Sequence, residues 1–219
     1  MPDRNDLFFP NLPPRSSYQK NRNSKYYSDY SFYREAIRMD CLGRCVYCDI
    51  HENENGGQAN MQLDHFRPKQ KFPRLRSNPT NLHWSCAECN NLKSDYWPAE
   101  SPDSTIKGEQ GFIDPFTENR KDYFKVVSNG ELVPLKAPAS YKIELLALNR
   151  EYRKRVRKNR LIVFKMLTEE RKRIAEVDAI LKNRIDLSKK EVTTLKKLKR
   201  TFNASIRHIM TSDLNFDLL

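Results

Sequence analysis

The sequence predicts an α+β protein: a small mixed core set between an N-terminal helix and a basic, helical C-terminal region. Three observations carry this reading. Two CxxC pairs, Cys45/Cys48 and Cys86/Cys89, frame a segment with short strand-like runs. A hairpin signal follows them. From Ala139 onward there is no proline, and apolar residues recur at helical spacing.

Residues 1–28 read as an extended arm, because Pro10, Pro13 and Pro14 exclude a helix. Phe8, Phe9, Tyr18, Tyr26 and Tyr27 are too many aromatics for a solvated tail, so part of the arm packs down or binds something. Asp29 to Leu42 reads as a helix with Tyr30, Tyr33, Ile37 and Cys41 on one face, stopped by Gly43. It opens the core segment, residues 29–98. Residues 99–138 are a connector. Its Asn129-Gly130, between Tyr123-Phe124-Lys125-Val126-Val127 and Leu132-Val133, signals a β-hairpin.

Residues 139–219 carry two apolar stripes: Ile174, Val177, Leu181 and Ile185, then Val192, Leu195, Leu198, Phe202, Ile206 and Ile209. Ser188 and Glu191 stand in capping-box positions between them. This describes a helical hairpin with a narrow apolar seam and basic outer faces. The continuous run Leu161-Ile162-Val163-Phe164 suits a buried or partner-covered segment.

Lys and Arg number 40 against 28 Asp and Glu, a net charge of +12. Residues 139–219 hold 21 basic and 10 acidic residues, leaving 19 and 18 in residues 1–138. So uneven a distribution suits a polyanionic partner, most often nucleic acid. The densest patch is Arg150, Arg153, Lys154, Arg155, Arg157, Lys158 and Arg160. Mean hydropathy is −0.82. No apolar stretch approaches the ~20 residues of a membrane span, and the first residues lack a signal-peptide apolar region. The expected location is the cytoplasm, with no membrane partner.

The cysteines total five, an odd count that suits a metal better than disulfides. A CxxC turn presents two thiolates to one ion, and two such turns close a tetrahedral shell. Cys45, Cys48, Cys86 and Cys89 therefore predict a structural Zn²⁺ site. The 37 residues between Cys48 and Cys86 exceed a zinc-ribbon spacing, so something is inserted between the knuckles. Cys41 is left over and reads as a small core residue.

The insertion contains Gln62-Leu63-Asp64-His65-Phe66-Arg67-Pro68-Lys69 and Asn81-Leu82-His83-Trp84-Ser85, and the second knuckle runs into Asn90-Asn91-Leu92-Lys93. Asp-His, a later Asn and Cys-x-x-Cys-Asn-x-x-Lys between CxxC pairs resemble the HNH endonucleases. That resemblance implies a ββα-metal core around one divalent cation, read here as strands at 60–65 and 82–85 and a helix at 89–95. It implies a phosphodiester hydrolase with catalytic residues His65, Asp64, Asn81 and Asn90. A neutral imidazole at His65 accepts the proton of the attacking water. A hard cation, Mg²⁺ or another divalent ion, takes the oxygen ligands Asp64 and Asn90. Asn81 holds the loop that orients the base. Neighbours on a strand point to opposite sides, so Asp64 and His65 serve one site only if the strand ends there. His83 is outside the motif and reads as packing or as a residue supporting the site from behind its ligands.

Arg67, Lys69, Lys71, Arg74 and Arg76 crowd the loop between the strands, where they suit phosphates. The expected nucleic-acid contacts are Arg67, Lys69, Lys93, Arg153 and Arg157, with DNA as the first substrate and RNA as the alternative.

His65-Phe66-Arg67-Pro68-Lys69, Asn81-Leu82 with Ser85-Cys86, Trp97-Pro98, Phe112-Ile113-Asp114-Pro115 and Leu146-Ala147-Leu148-Asn149-Arg150 look like the HNH nuclease subunit of Septu-type anti-phage defence systems. Related subunits accompany some retrons. This narrower resemblance implies a bacterial protein whose partner is an ABC/SMC-like ATPase. A ββα core is small, so recruitment falls to other parts of the chain: the C-terminal helices and the arm are expected to dock the partner, and the arginine cluster and the 67–76 loop to guide nucleic acid. The second strand departs from the pattern at Trp84, which is bulkier than the aliphatic run the family implies. The competing readings are a non-catalytic zinc module that binds nucleic acid or bridges proteins, and a stand-alone restriction or homing HNH enzyme.

Overall fold

The computed structural model describes residues 7–184 and 186–212, with side chains described as far as Arg207. The chain forms two compact units that divide between Lys158 and Asn159. No helix among the described residues is long and apolar enough to cross a membrane.

In the first unit the arm packs down. Leu7, Phe8 and Phe9 are buried, and the Phe9 ring stacks on Phe124 at 5.3 Å. The Arg15 guanidinium lies 3.7 Å from the Phe116 ring centroid and donates to the Leu82 carbonyl. Ser16 and Tyr18 both donate to the buried Asp40 carboxylate.

The expected N-terminal helix is split. Asp29 caps a 3-10 turn at Tyr30–Tyr33 by accepting from the Ser31 amide, and α1 follows at Arg34–Asp40. Tyr33, Ile37 and Cys41 are buried as their spacing predicts, but Tyr30 is only half-buried. The tighter 3-10 turn rotates it off that face.

β1 (Met61–His65) and β2 (Leu82–Cys86) form an antiparallel pair with Asp64 opposite His83 and His65 opposite Leu82. α2 (Ala87–Lys93) starts two residues before the expected helix, because Cys86 caps it: its Sγ accepts from the Cys89 amide. Trp84 fits β2 fully buried, with the Arg34 guanidinium 4.5 Å from its ring centroid. The resulting ββα unit is the small core of an α+β fold.

The connector holds two hairpins. β3 (Ile106–Lys107) and β4 (Gln110–Gly111) make a minimal one that the sequence did not signal. β5 (Phe124–Val126) and β6 (Leu132–Pro134) flank the Asn129-Gly130 turn. Gly130 has φ +85°, and a Cβ there would fall 2.0 Å from the Lys154 carbonyl oxygen, so only glycine fits. α3 (Ala139–Leu145) packs on β6, and Asn149 brackets Leu132 by donating to its carbonyl and accepting from its amide. α4 (Glu151–Asn183) begins in this unit.

The second unit comprises the rest of α4 and α5 (Lys189–Ser212). The Ser188 amide donates to the Glu191 carboxylate and the Glu191 amide to the Ser188 hydroxyl, so the capping box forms. Lys199 pairs with Asp178 at 2.6 Å, and the Arg173 guanidinium lies 5.9 Å from the Phe202 ring centroid. Val177 is buried, while Ile174, Leu181, Val192, Leu195, Phe202 and Ile206 are half-buried. Leu198 faces solvent, against expectation. Ile185 and the Ile209 side chain lie outside the described residues. The 161–164 run alternates: Val163 and, a turn on, Leu167 are buried, while Ile162 and Met166 are exposed.

Candidate active site and four-cysteine cluster

Cys45, Cys48, Cys86 and Cys89 converge. Their sulfurs all lie within 4.8 Å of one another, and all four are buried. The first knuckle is held to β2 by the Val46 amide, which donates to the Trp84 carbonyl at 3.0 Å. Two guanidiniums face the sulfurs. Arg153 Nη2 is 3.3 Å from Cys86 Sγ, and Arg150 Nη2 is 3.8 Å from Cys89 Sγ. Four thiolates around a divalent ion carry a net charge of about −2, and two adjacent cations offset it. The donor set and its surroundings thus fit a closed, structural zinc site. Cys41 stands outside it: its buried sulfur accepts from the Trp84 amide, and burial pushes its thiol pKa up to about 12.

β1 ends at His65, and the chain turns at once. Asp64 and His65 therefore both border one cleft of about 580 Å³, together with Gln62, Asn90, Lys69 and Tyr30. The expected conflict between strand neighbours does not arise.

His65 Nε2 lies 2.8 Å from the Arg76 carbonyl oxygen. A carbonyl only accepts, so Nε2 carries the proton and Nδ1 keeps its lone pair in the neutral ring. Burial lowers the His65 pKa below its ordinary 6.5, and nearby Lys69 and Lys93 push the same way against Asp64 and the Arg76 contact. The Tyr30 ring edge packs on the imidazole at 4.7 Å. Asn81 fixes the loop around His65. Its amide accepts from the Arg67 amide and donates to the Arg67 and Leu75 carbonyls.

Asp64 is 4% exposed. One oxygen accepts from the Tyr47 hydroxyl and the other from Lys93 Nζ at 3.1 Å. A carboxylate has about four lone-pair sites, so capacity for a cation remains. Asn90 donates its amide to Gln62 Oε1 at 2.7 Å, which leaves its own oxygen as a hard donor. The donor set of Asp64 and Asn90 fits a hard divalent cation.

The structure separates the expected nucleic-acid contacts. Lys69 lines the cleft. Arg67 is half-buried, with Nε donating to the Pro102 carbonyl and the guanidinium near the Trp97 ring. Lys93, Arg153 and Arg157 are corrected outright, because all three are buried. Lys93 pairs with Asp64, Arg153 faces the cysteine cluster, and Arg157 donates to the Gly130 and Leu148 carbonyls. Arg153, Arg157 and Arg160 fall at i, i+4, i+7, an inward stripe that periodicity could have flagged. Arg155 and Lys158, between them, are exposed.

His83 is packing. It sits buried between Phe66 and Phe116, and burial drives its pKa well below 6.5, so it is neutral. Residues the motif did not single out also shape the site. Tyr47, inside the first CxxC, reaches Asp64, and Tyr30 and Arg34 border the cleft.

The HNH endonuclease family model matches residues 45–96, the segment that carries the ββα unit, its Asp-His strand end, the facing helix Asn and the four-cysteine clamp. Septu protein PtuB of Bacillus thuringiensis is 36% identical over 59 residues. That match covers 27% of this chain and 22% of the relative, so the chain spans only about a fifth of that protein's length. No solved structure matches.

Proposed function

We propose that this chain is a metal-dependent endonuclease that hydrolyses phosphodiester bonds, working in a two-component anti-phage defence complex with an ABC/SMC-like ATPase in the bacterial cytoplasm. The observation that carries the hydrolytic reading is the His65 ring: its proton is committed to Arg76, and it borders the cleft shared by Asp64 and Asn90. A module that only bound nucleic acid would need no such alignment.

In this reading His65 Nδ1 takes a proton as a water attacks phosphorus, and the bond to the departing 3′ oxygen breaks. Asp64 and Asn90 hold the divalent cation, which when bound stabilises charge on the phosphoryl and leaving oxygens. Asn81 keeps the Arg76 carbonyl under the imidazole. The zinc cluster holds the ββα unit together and takes no part in the chemistry. The similarity to Septu protein PtuB supports the defence setting, and the ATPase partner is what the Septu-type resemblance of the sequence implies.

The test is cleavage of plasmid DNA and of RNA with Mg²⁺, with and without the ATPase. His65→Ala should lose about 10²–10⁴-fold in rate with zinc content and fold intact. Because burial lowers its pKa, wild-type activity should rise with pH and level off before the rate would for an ordinary histidine. A His65→Ala protein as active as wild type, with contaminating nucleases excluded, removes the assignment. Cleavage by the purified chain alone would favour the stand-alone enzyme.

A further inference from the structure

Lys93 ends α2 with its ammonium sealed from solvent. It makes two hydrogen bonds, to Asp64 Oδ1 at 3.1 Å and to the His65 carbonyl at 2.9 Å. The same cation therefore grips the side chain of one cleft residue and the backbone of the next. The second Asp64 oxygen is held by the Tyr47 hydroxyl, from within the zinc knuckle. No other cation pairs with Asp64 among the described residues, and no other acid pairs with Lys93.

We infer that Lys93 is the resident counter-cation of the divalent metal site. It neutralises Asp64 while the site is empty and holds Asp64 and His65 in register when the site is filled. The inference rests on the reading of Asp64 as a metal ligand. Its logic is electrostatic. Asp64 is too buried to sit as an isolated carboxylate, because a desolvated charge without a partner is strongly disfavoured. An ammonium on one carboxylate oxygen meets that need without metal. It also repels an incoming dication at short range in a medium of reduced dielectric. Lys93 thus stabilises the empty site, weakens metal binding and positions both groups. Tyr47 holds Asp64 without charge, so it contributes to position alone.

This gives metal affinity and catalysis opposite signs, which a purely structural lysine does not. Lys93→Met removes the charge and keeps the stem. Lys93→Gln also retains a donor for Asp64 and the His65 carbonyl, and it serves where the Met variant fails to fold. The experiment titrates MgCl₂ and MnCl₂ calorimetrically into the full-length, zinc-loaded protein, and measures melting temperature with chelated and saturating Mg²⁺. Either neutral variant should bind Mg²⁺ on the order of tenfold more tightly or better, equivalent to about 1.4 kcal/mol. It should melt lower than wild type without Mg²⁺, regain more on adding it, and cleave more slowly. Lys93→Arg, which keeps the charge, should not tighten binding. Neutral variants that bind Mg²⁺ no more tightly than wild type, while Asp64→Asn abolishes that binding, overturn the inference and leave the ligand reading standing. An Asp64→Asn protein with wild-type Mg²⁺ binding overturns the ligand reading, and the inference with it.

Discussion

The Asn81 side chain donates to the Leu75 carbonyl, one residue before the Arg76 carbonyl that accepts from His65. Asn81 thus supports the orientation of the imidazole through the loop backbone, alongside the Tyr30 ring packed on it. Asn81→Ala should free the 67–76 loop and let the Arg76 carbonyl drift. A displacement of about 1 Å in a reacting group can cost on the order of 10²-fold in rate. Cleavage by Asn81→Ala should fall by about that factor, with the Mg²⁺ affinity of the protein unchanged. Equal loss of rate and of Mg²⁺ affinity would place Asn81 in the metal site instead.

Arg153 lies 3.3 Å from Cys86 Sγ and also pairs with Glu88. Groups that hydrogen-bond to metal ligands typically tune affinity by about 10–100-fold. Arg153→Met should release zinc to a chelator at correspondingly lower concentration, and Cys86→Ser should lose the site and much of the soluble yield. Structural zinc in small domains contributes of order 10 kcal/mol. Unchanged zinc retention in Arg153→Met would remove the charge-balancing role from this arginine.

Lys142 is fully buried, and its Nζ has no hydrogen-bond partner among the described residues. The Phe124 and Tyr47 rings, at 5.2 and 5.9 Å, are its compensation. Burial, reinforced by Arg120, lowers its pKa from 10.5 to about 7. The unfolded chain therefore binds this proton across a window where the folded chain has released it. Lys142 adds a stability term that grows as pH rises from about 7 toward 10.5. Lys142→Met should remove that slope and stabilise the protein at neutral pH by about 1–3 kcal/mol, the usual cost of an unmet buried donor. Denaturant melts at pH 6, 7.5 and 9 check both the sign and the slope. A destabilised Lys142→Met at every pH would mean that the aromatic contacts outweigh burial.

What the sequence disclosed, and what it hid, follows from the range of each interaction. Each CxxC pair, the Asp64-His65 strand end and the Ser188/Glu191 box are local patterns, and each appears in the structure where its spacing put it. The partners of buried cations are not local. Lys93 meets Asp64 across 29 residues, and Arg153 meets Cys86 across 67. Read along the chain these residues look like solvated charge. Only the fold reveals a carboxylate and a thiolate cluster waiting for them. Tyr47 was hidden differently: inside a CxxC turn it reads as filler, and it meets Asp64 only because the fold brings together residues 17 apart in the chain.

The same sorting decides which cations can meet nucleic acid. Arg153 and Arg157 are consumed inside the first unit, whereas Arg74 and Arg76 stand exposed on the loop whose backbone contacts His65. Lys69, lower on that loop, lines the cleft itself. A scissile phosphate near His65 would bring its neighbouring phosphates past this loop. Each phosphate neutralised releases condensed counterions, and the slope of log affinity against log salt falls by about 0.9 per contact on duplex DNA and about 0.7 on single strands. Arg74→Ala and Arg76→Ala should each lower the slope by one such increment and weaken binding about equally across sequences. The size of the increment also distinguishes a duplex from a single strand as the preferred target. Arg153→Met should leave the slope unchanged while weakening zinc retention. If instead Arg153→Met changes the slope and the loop variants do not, nucleic acid approaches from the side of α4 and the loop has no part in holding it.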